Sequence, residues 1–325
     1  MSDIAGTVAA KFSARSHSYD RLARVQNLTA TDLAYVAQDY LPGLTAVHLE
    51  GVDARDFSIL DVGAGTGLVY RRLFPDFRHY GDQLHLYAWD LSEDMLALLK
   101  EYLPQVDTCK MDFNHPAEMF YARSYNLILS SFALQWSSDP AELILKLLSL
   151  LKSQGVLLVA VPVAGSLSEL KEAFSCAQKF LSGEVFPGEN EFFNTFPSLE
   201  DMASHLYSCI FPQERGSGSS SFKSCCFSDL SQKITEDFQV LFQHSDSERE
   251  LAIFGKSYCI TYPGLSDALH SITKIGAGTS LQGGKITLNR KILTKAAECY
   301  PQKMHGDPGY PVTYQLAFIK IKSLI

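Results

Sequence analysis

Long uninterrupted apolar runs are missing from this chain of 325 residues. No run reaches the ~18 residues that a membrane-crossing helix needs. An apolar content of 46% is nevertheless enough for a core. The N-terminus lacks the apolar stretch and small-residue cleavage site of a secretory signal. Metal-ligand spacing is absent as well. The seven cysteines include no C-x-x-C pair, and the adjacent Cys225 and Cys226 are poorly placed to bond each other. His17, His48, His79, His85, His115, His205, His244, His270 and His305 are scattered, so a zinc site has no support. Reduced, mostly buried thiols and no metal are expected. Positive charge is in deficit: 28 Lys and Arg against 36 Asp and Glu leave a net charge of −8. That balance argues against a nucleic-acid backbone as the main partner. No internal repeat is visible. These absences leave a cytoplasmic protein without nucleic-acid or membrane partners as the expectation.

What is present is concentrated between Phe57 and Gly67. The apolar Phe57-Ser58-Ile59-Leu60 reads as a buried strand, and Asp61-Val62-Gly63-Ala64-Gly65-Thr66-Gly67 follows it directly. Glycines permit a tight turn and a close backbone approach to a ligand. The helix expected from about Leu68 to Phe74 points its first amides the same way. A dinucleotide fingerprint is G-x-G-x-x-G, but here the third glycine falls one residue early and Leu68 stands in its place. An ionised Asp61 at the turn would repel a pyrophosphate and attract a cation. S-adenosylmethionine (SAM) suits that requirement, because it carries a sulfonium and an ammonium and no phosphate.

Two further acids extend the pattern. Leu84 to Asp90 reads as a second strand, and an acid at its end can accept from both ribose hydroxyls. Ser92 can cap the helix expected from Glu93 to Tyr102, which leaves Asp90 for the ligand, with Leu91 and Met95 beside it. Val106 to Lys110 reads as a short third strand, followed by Met111-Asp112-Phe113. Asp112 can accept the exocyclic amine of adenine while Phe113 packs on the ring. Taken singly, an acid such as Asp112 is more often a turn residue, with Asn114 and Pro116 completing the turn. Three acids ending three successive strands form the ligand-binding edge of an open α/β sheet.

Organisation follows the same logic. An N-terminal helical segment runs from about Ile4 to Tyr40. A fourth strand, Tyr125 to Ser130, is followed by an amphipathic helix from Pro140 to Lys152 and, through Gln154-Gly155, by a fifth strand, Val156 to Val161. Alternating strands and helices with continuously apolar strands imply a parallel, doubly wound α/β sheet. Beyond Pro162 the regularity is lost. Helices from Pro263 to Ile275 and from Asn289 to Tyr300, and a last strand from Val312 to Ile321, close the chain. The boundaries expected are 1–50 for a helical segment covering the cofactor, 51–165 for the SAM-binding core, 166–262 for an inserted region and 263–325 for completion of the sheet.

Further blocks carry a family resemblance. Ser130-Ser131-Phe132-Ala133-Leu134-Gln135-Trp136, Gly165 to Leu170, Ile275-Gly276-Ala277-Gly278 and Tyr310-Pro311-Val312-Thr313-Tyr314 resemble the BioC family. So do Lys11-Phe12 and Ser18-Tyr19-Asp20. This family comprises the malonyl-acyl-carrier-protein O-methyltransferases of biotin synthesis. The resemblance implies a Rossmann-like class I methyltransferase fold with a mostly parallel seven-stranded sheet and a lid-like insertion after the fifth strand. It implies methyl transfer from SAM to the free carboxylate of a malonyl thioester on acyl carrier protein or coenzyme A. By the same resemblance Tyr19 closes over the methionine end of the cofactor, Ser131 lies at the cofactor, and Phe132, Gln135, Trp136, Ser166, Tyr310 and Tyr314 lie at the acceptor. Tyr19, Gln135 and Trp136 are the candidate catalytic residues.

The chain departs from the family in two places. Gly309 stands where family members tend to carry an arginine, a natural carboxylate clamp, so Lys303 or His305 is a candidate substitute. The segment 206–247 reads as an insertion of roughly forty residues by alignment, suited to a lid or to a plain surface excursion. An acidic carrier protein requires a local basic patch, for which Lys274, Lys285, Arg290, Lys291 and Lys295 are the candidates. Other readings are a degenerate, binding-only relative, against which the intact Asp61, Gly63, Gly65 and Asp90 weigh, and two more. One is a SAM-dependent methyltransferase of a free small carboxylic acid or quinone precursor. The other is a relative of a complex I assembly factor described as an arginine hydroxylase, which predicts a transit peptide that a block beginning at Lys11 leaves little room for.

Overall fold

A computed structural model describes residues 13, 16–41, 57–75, 84–113, 125–182, 193, 196–212, 239–274, 290–301 and 309–325. They fall into two compact units. The first comprises Gln26–Pro162, Ser198–Lys256 and Leu316–Ile325, and the second Met1–Val25, Val163–Pro197 and Ser257–Gln315.

The first unit is built on β1 (Phe57–Val62), buried at every position, as a strand covered on both faces must be. β2 (Leu84–Asp90) and β4 (Tyr125–Ser131) flank it, both parallel. β3 (Asp107–Lys110) pairs parallel with β2, and β5 (Leu151–Pro162) parallel with β4. β8 (Tyr310–Ser323) is antiparallel to β5, and β6 (Gln239–Ser245) is antiparallel to β7 (Arg249–Tyr262). The sheet order is β3-β2-β1-β4-β5-β8-β7-β6. The direction of winding reverses between β1 and β4, the switch point where such sheets bind ligands. The α/β, mostly parallel class is as the sequence implies, with eight strands rather than seven. β6 and β7 were hidden in the irregular stretch. β7 nonetheless carries a period-two signal, with Tyr258, Ile260 and Tyr262 buried between exposed Ser257, Cys259 and Thr261. The turn expected at Gln154-Gly155 lies within β5, where Gln154 takes φ 61° beside a register shift opposite Tyr125 and Leu127.

The helices of the described chain are α1 (Ser16–Leu22), α2 (Arg24–Ala37), α3 (Leu68–Leu73), α4 (Glu93–Tyr102), α5 (Pro140–Ser149), α6 (Ser168–Ser182), α7 (Leu199–Ile210), α8 (Leu265–Lys274) and α9 (Arg290–Cys299). The expected N-terminal helix is thus interrupted at Ala23. α5 shows why these segments are helical. Asp139 caps it by accepting from the Glu142 amide at 2.9 Å, Pro140 occupies the first turn, and Ala141, Leu143, Ile144 and Leu147 form its buried stripe. Two partly buried ion pairs tie the first unit together, Asp32–Lys256 at 2.7 Å and Glu250–Lys320 at 2.8 Å.

In the second unit, Glu169 of α6 accepts from the Thr313 amide at 3.0 Å and also from its hydroxyl. The Tyr300 hydroxyl donates to the Pro311 carbonyl at 2.6 Å. Cys176 of α6 is bonded to Cys299 of α9, which corrects the expectation of reduced thiols. The two Cα atoms lie 6.0 Å apart across 123 residues of sequence, within bridging range but invisible to a search for close cysteine spacing. Among the described residues Cys259 is exposed, and Cys109 and Cys209 are half-buried. No helix among them is long and apolar enough to cross a membrane, and no cluster of metal-ligating side chains occurs among them.

Candidate active site

The end of β1 turns into α3 through Gly63-Ala64-Gly65-Thr66-Gly67, and each glycine is required for a different reason. Gly63, at φ 70°, lies so close to Ala133 that a Cβ there would collide with the alanine methyl. Gly67, at φ 78°, would bring a Cβ to 2.9 Å from Leu99 of α4. Gly65, at φ 54°, would meet nothing within 4 Å. Its outer face is open, which makes it the position where a ligand can approach the backbone. The Gly63 and Ala64 amides both donate to the Trp89 carbonyl, at 2.8 and 3.0 Å. Thr66 is buried, and its hydroxyl accepts from the Arg71 guanidinium at 3.1 Å. That guanidinium also lies 4.6 Å from the Tyr102 ring centroid. Arg71 and Ala133 are supports for the loop that sequence reading missed; an Arg four residues into a helix gives no signal of its own.

Asp61 is 1% exposed, and neither carboxylate oxygen has a hydrogen-bond partner. Burial, and then the neighbouring Asp90 charge, push its pKa up to about 8. Buried polar groups without partners are rare and call for an explanation. A carboxylate with two empty oxygens is matched by a cation. Asp90 differs from expectation, since both its oxygens are in use. Oδ2 accepts from the Gly65 amide at 2.8 Å and Oδ1 from the Ser92 amide at 2.8 Å. Burial raises its pKa while the amides of Ser92, Gly65 and Leu91 pull it back. A carboxylate has about four lone-pair sites, so capacity remains for a hydroxyl. Ser92 caps α4 by accepting from the Met95 amide at 3.3 Å, as expected. Leu91 is half-buried, and the Met95 side chain is buried on α4. Asp112 and Phe113 follow β3, both half-buried.

Across the switch point, the Ser130 hydroxyl donates to the Val62 carbonyl at 2.8 Å and joins β4 to β1. Ser131 ends β4 with a buried hydroxyl that has no partner. Phe132 takes φ 53°, a left-handed conformation costly for an aromatic residue. The Gln135 side-chain amide donates to the Phe132 carbonyl at 2.7 Å, and its own Oε1 is buried without a partner. Trp136 is half-buried in the same short turn. Orphaned oxygens on Asp61, Ser131 and Gln135 thus lie at or just beyond the ends of two adjacent parallel strands. SAM fits this donor set, with its positive charge for Asp61, its ribose for the remaining Asp90 lone pairs, and the open face of Gly65 for close approach.

The second unit holds the other candidates. Tyr19 lies half-buried on α1. The Ser166 hydroxyl is spent on the Gln315 backbone, donating to its carbonyl and accepting from its amide, both at 2.9 Å. Tyr310 packs edge-on to Tyr300 with centroids 4.9 Å apart. Tyr314 is buried, and burial followed by neighbouring Tyr262 raises its pKa. Gly309 lies against Thr261 and Tyr262, and a Cβ there would come within 2.9 Å of the Tyr262 carbonyl. The arginine of the family therefore has no room at this position. Arg290 and Lys291 are exposed in the first turn of α9, Lys295 is paired with Glu298 at 2.9 Å, and Lys274 ends α8. Lys285, Lys303, His305 and the glycine block at 276–278 lie outside the described residues.

Residues 60–157, from β1 into β5, match the family model described as a methyltransferase domain. With the loop and switch point above, they define a SAM-dependent methyltransferase domain on a Rossmann-like fold. More particularly, the chain is similar over nearly its full length to malonyl-[acyl-carrier protein] O-methyltransferases. That of Brevibacillus brevis is 26% identical, covering 97% of this chain and 95% of that protein. That of Acetivibrio thermocellus is 29% identical, covering 95% of this chain and 90% of that protein. The biotin biosynthesis bifunctional protein BioHC of Teredinibacter turnerae is 23% identical, covering 97% of this chain and 46% of that protein. Among solved structures, a putative methyltransferase from Bacillus halodurans is 14% identical with a TM-score of 0.43, over 90% of this chain and 98% of that one.

Proposed function

We propose that this protein is a cytoplasmic enzyme that methylates the free carboxylate of a malonyl thioester on acyl carrier protein, as a step of biotin synthesis. The observation that carries the reading is similarity to enzymes of that name over 97% of the chain, well beyond the domain at 60–157. When bound, SAM supplies a methyl group activated by its sulfonium. A malonyl carboxylate is already ionised at neutral pH, so the chain needs no general base. Its work is placement and the exclusion of water, which together are worth up to ~7–11 kcal/mol of barrier. Asp61 offers two unpartnered oxygens to the donor's positive charge from a position closed to water. Asp90 aligns the Gly65 amide and keeps lone pairs for the ribose. Asp112 and Phe113 are assigned to adenine. Gln135 fixes the Phe132 carbonyl and, with Trp136, bounds the acceptor side.

Rescue of a biotin auxotroph lacking its malonyl methyltransferase tests the reading. Growth without biotin is expected from the intact chain and not from an Asp61→Ala variant. No growth from well-expressed intact chain contradicts it.

A further inference from the structure

In the second unit, α6 and α9 form an antiparallel pair. Cys176 faces Cys299. Four residues on along α6 and four back along α9, the Lys295 ammonium lies 3.6 Å from the Phe180 ring centroid. The end of α6 therefore lies beside the start of α9. There Phe180 is 69% exposed and Leu181 is 49% exposed, Lys179 is exposed next to them in sequence, and Arg290 and Lys291 are exposed about one turn before Lys295 on α9. Two adjacent large apolar side chains left in water within a charged rim mark an interaction site rather than scattered surface apolarity.

The acids of the pair are Glu169 and Glu172 on α6 and Glu298 on α9, and Glu298 is paired with Lys295 at 2.9 Å. Lys179, Arg290 and Lys291 are the exposed bases toward the other end. A basic rim on a chain of net charge −8 selects an acidic partner.

We propose that this end of the α6–α9 pair docks an acidic carrier protein, with Phe180 and Leu181 as the apolar centre and Lys179, Arg290, Lys291 and Lys295 as the rim. The inference rests on the malonyl-carrier reading and deepens it. A central aromatic and its surrounding charges are the features that dominate such contacts.

The test uses the full chain carrying Phe180→Ala together with Lys291→Glu, with Leu181→Ser and Arg290→Glu as a second, independent pair. All four side chains are exposed, so thermal melting is expected to match the parent. The expected result is a loss of at least tenfold in kcat/KM on the carrier-bound malonyl thioester, with turnover of malonyl-CoA and the Kd for SAM unchanged. Unchanged turnover of the carrier-bound thioester, or an equal loss on malonyl-CoA, overturns the proposal. Direct binding of carrier protein bearing its pantetheine arm but no malonyl group separates docking from chemistry. If the parent methylates no malonyl thioester yet binds this carrier at least tenfold better than the variants, docking stands and the activity reading falls. Equal binding by parent and variants, or none by the parent, overturns docking. Conversion of a dimer to monomer by Phe180→Ala in sedimentation velocity also overturns it, by making the face a self-interface.

Discussion

Asp61→Asn removes the negative charge at the end of β1 while keeping its shape. In the cofactor-free protein the Asp61 pKa stands at about 8, against 3.8 for an ordinary aspartate. At pH 7 the side chain is therefore mostly protonated. A cationic ligand needs the ionised form, so its binding must expel a proton. Linkage then raises the association constant about tenfold per pH unit well below the pKa, or roughly 50-fold between pH 6 and 8. The ammonium of SAM titrates near pH 7.7–8.0 if it behaves as an ordinary α-amine (about that range), so affinity should rise to about pH 8 and then fall. Asp61→Asn should keep only the falling limb. Titration calorimetry at pH 7 in two buffers of different ionisation enthalpy counts the proton directly, with about one released by the parent and none by the variant. The raised pKa also has a sign for stability. Between pH 4 and 8 the folded chain holds a proton that the unfolded chain has released. The parent without cofactor should therefore lose stability as pH rises through that window, and the variant should lose less. Equal proton release by parent and variant, or an affinity flat from pH 6 to 8, would refute the role given to Asp61.

Four further variants have expected outcomes. Gly63→Ala should lower the melting temperature, since it adds a collision with Ala133 to a left-handed cost of ~1–2 kcal/mol. Gly65→Ala should lose SAM affinity out of proportion to its stability loss, because only its outer face is open; equal effects of the two changes on binding and melting would contradict the distinction. Gln135→Ala should lower kcat about tenfold, the worth of one hydrogen bond of ~1.4 kcal/mol, with the SAM Kd unchanged; a shifted Kd and unaltered kcat would move Gln135 to the cofactor. Lys320→Met should destabilise by about 3–5 kcal/mol in denaturant unfolding, since it strands Glu250 in a partly buried pair. Adding Glu250→Leu should recover much of that loss.

The parts legible in sequence were those fixed by local chemistry. β1, its glycine turn, the Ser92 cap and the start of α5 at Pro140 depend on neighbouring residues, and each lies where the sequence implies. Asp61 and Asp90 were legible from the apolar strands that lead into them, whereas β3 is the polar Asp107–Lys110 and Asp112 lies two residues beyond it. Long-range pairing was not legible. Nothing local distinguishes the oxygens of Asp61, which stay unpartnered, from those of Asp90, which take the Gly65 and Ser92 amides. The eighth strand escaped because β7 mixes Gly255, Lys256 and Ser257 into its alternation. The Cys176–Cys299 bond escaped because 123 residues separate its ends. The exposed Phe180 and Leu181 look like core residues in a helical pattern and acquire meaning only once α9 lies beside α6.

The most direct test of the central claim is the intact mass of malonyl-acyl carrier protein after incubation with the purified chain and SAM. The account predicts a gain of one methylene mass that leaves the carrier as a monomethyl malonyl group when the thioester is cleaved, with free malonate left unmethylated under the same conditions. An unchanged carrier mass from protein that binds SAM, or equal methylation of free malonate, would contradict it.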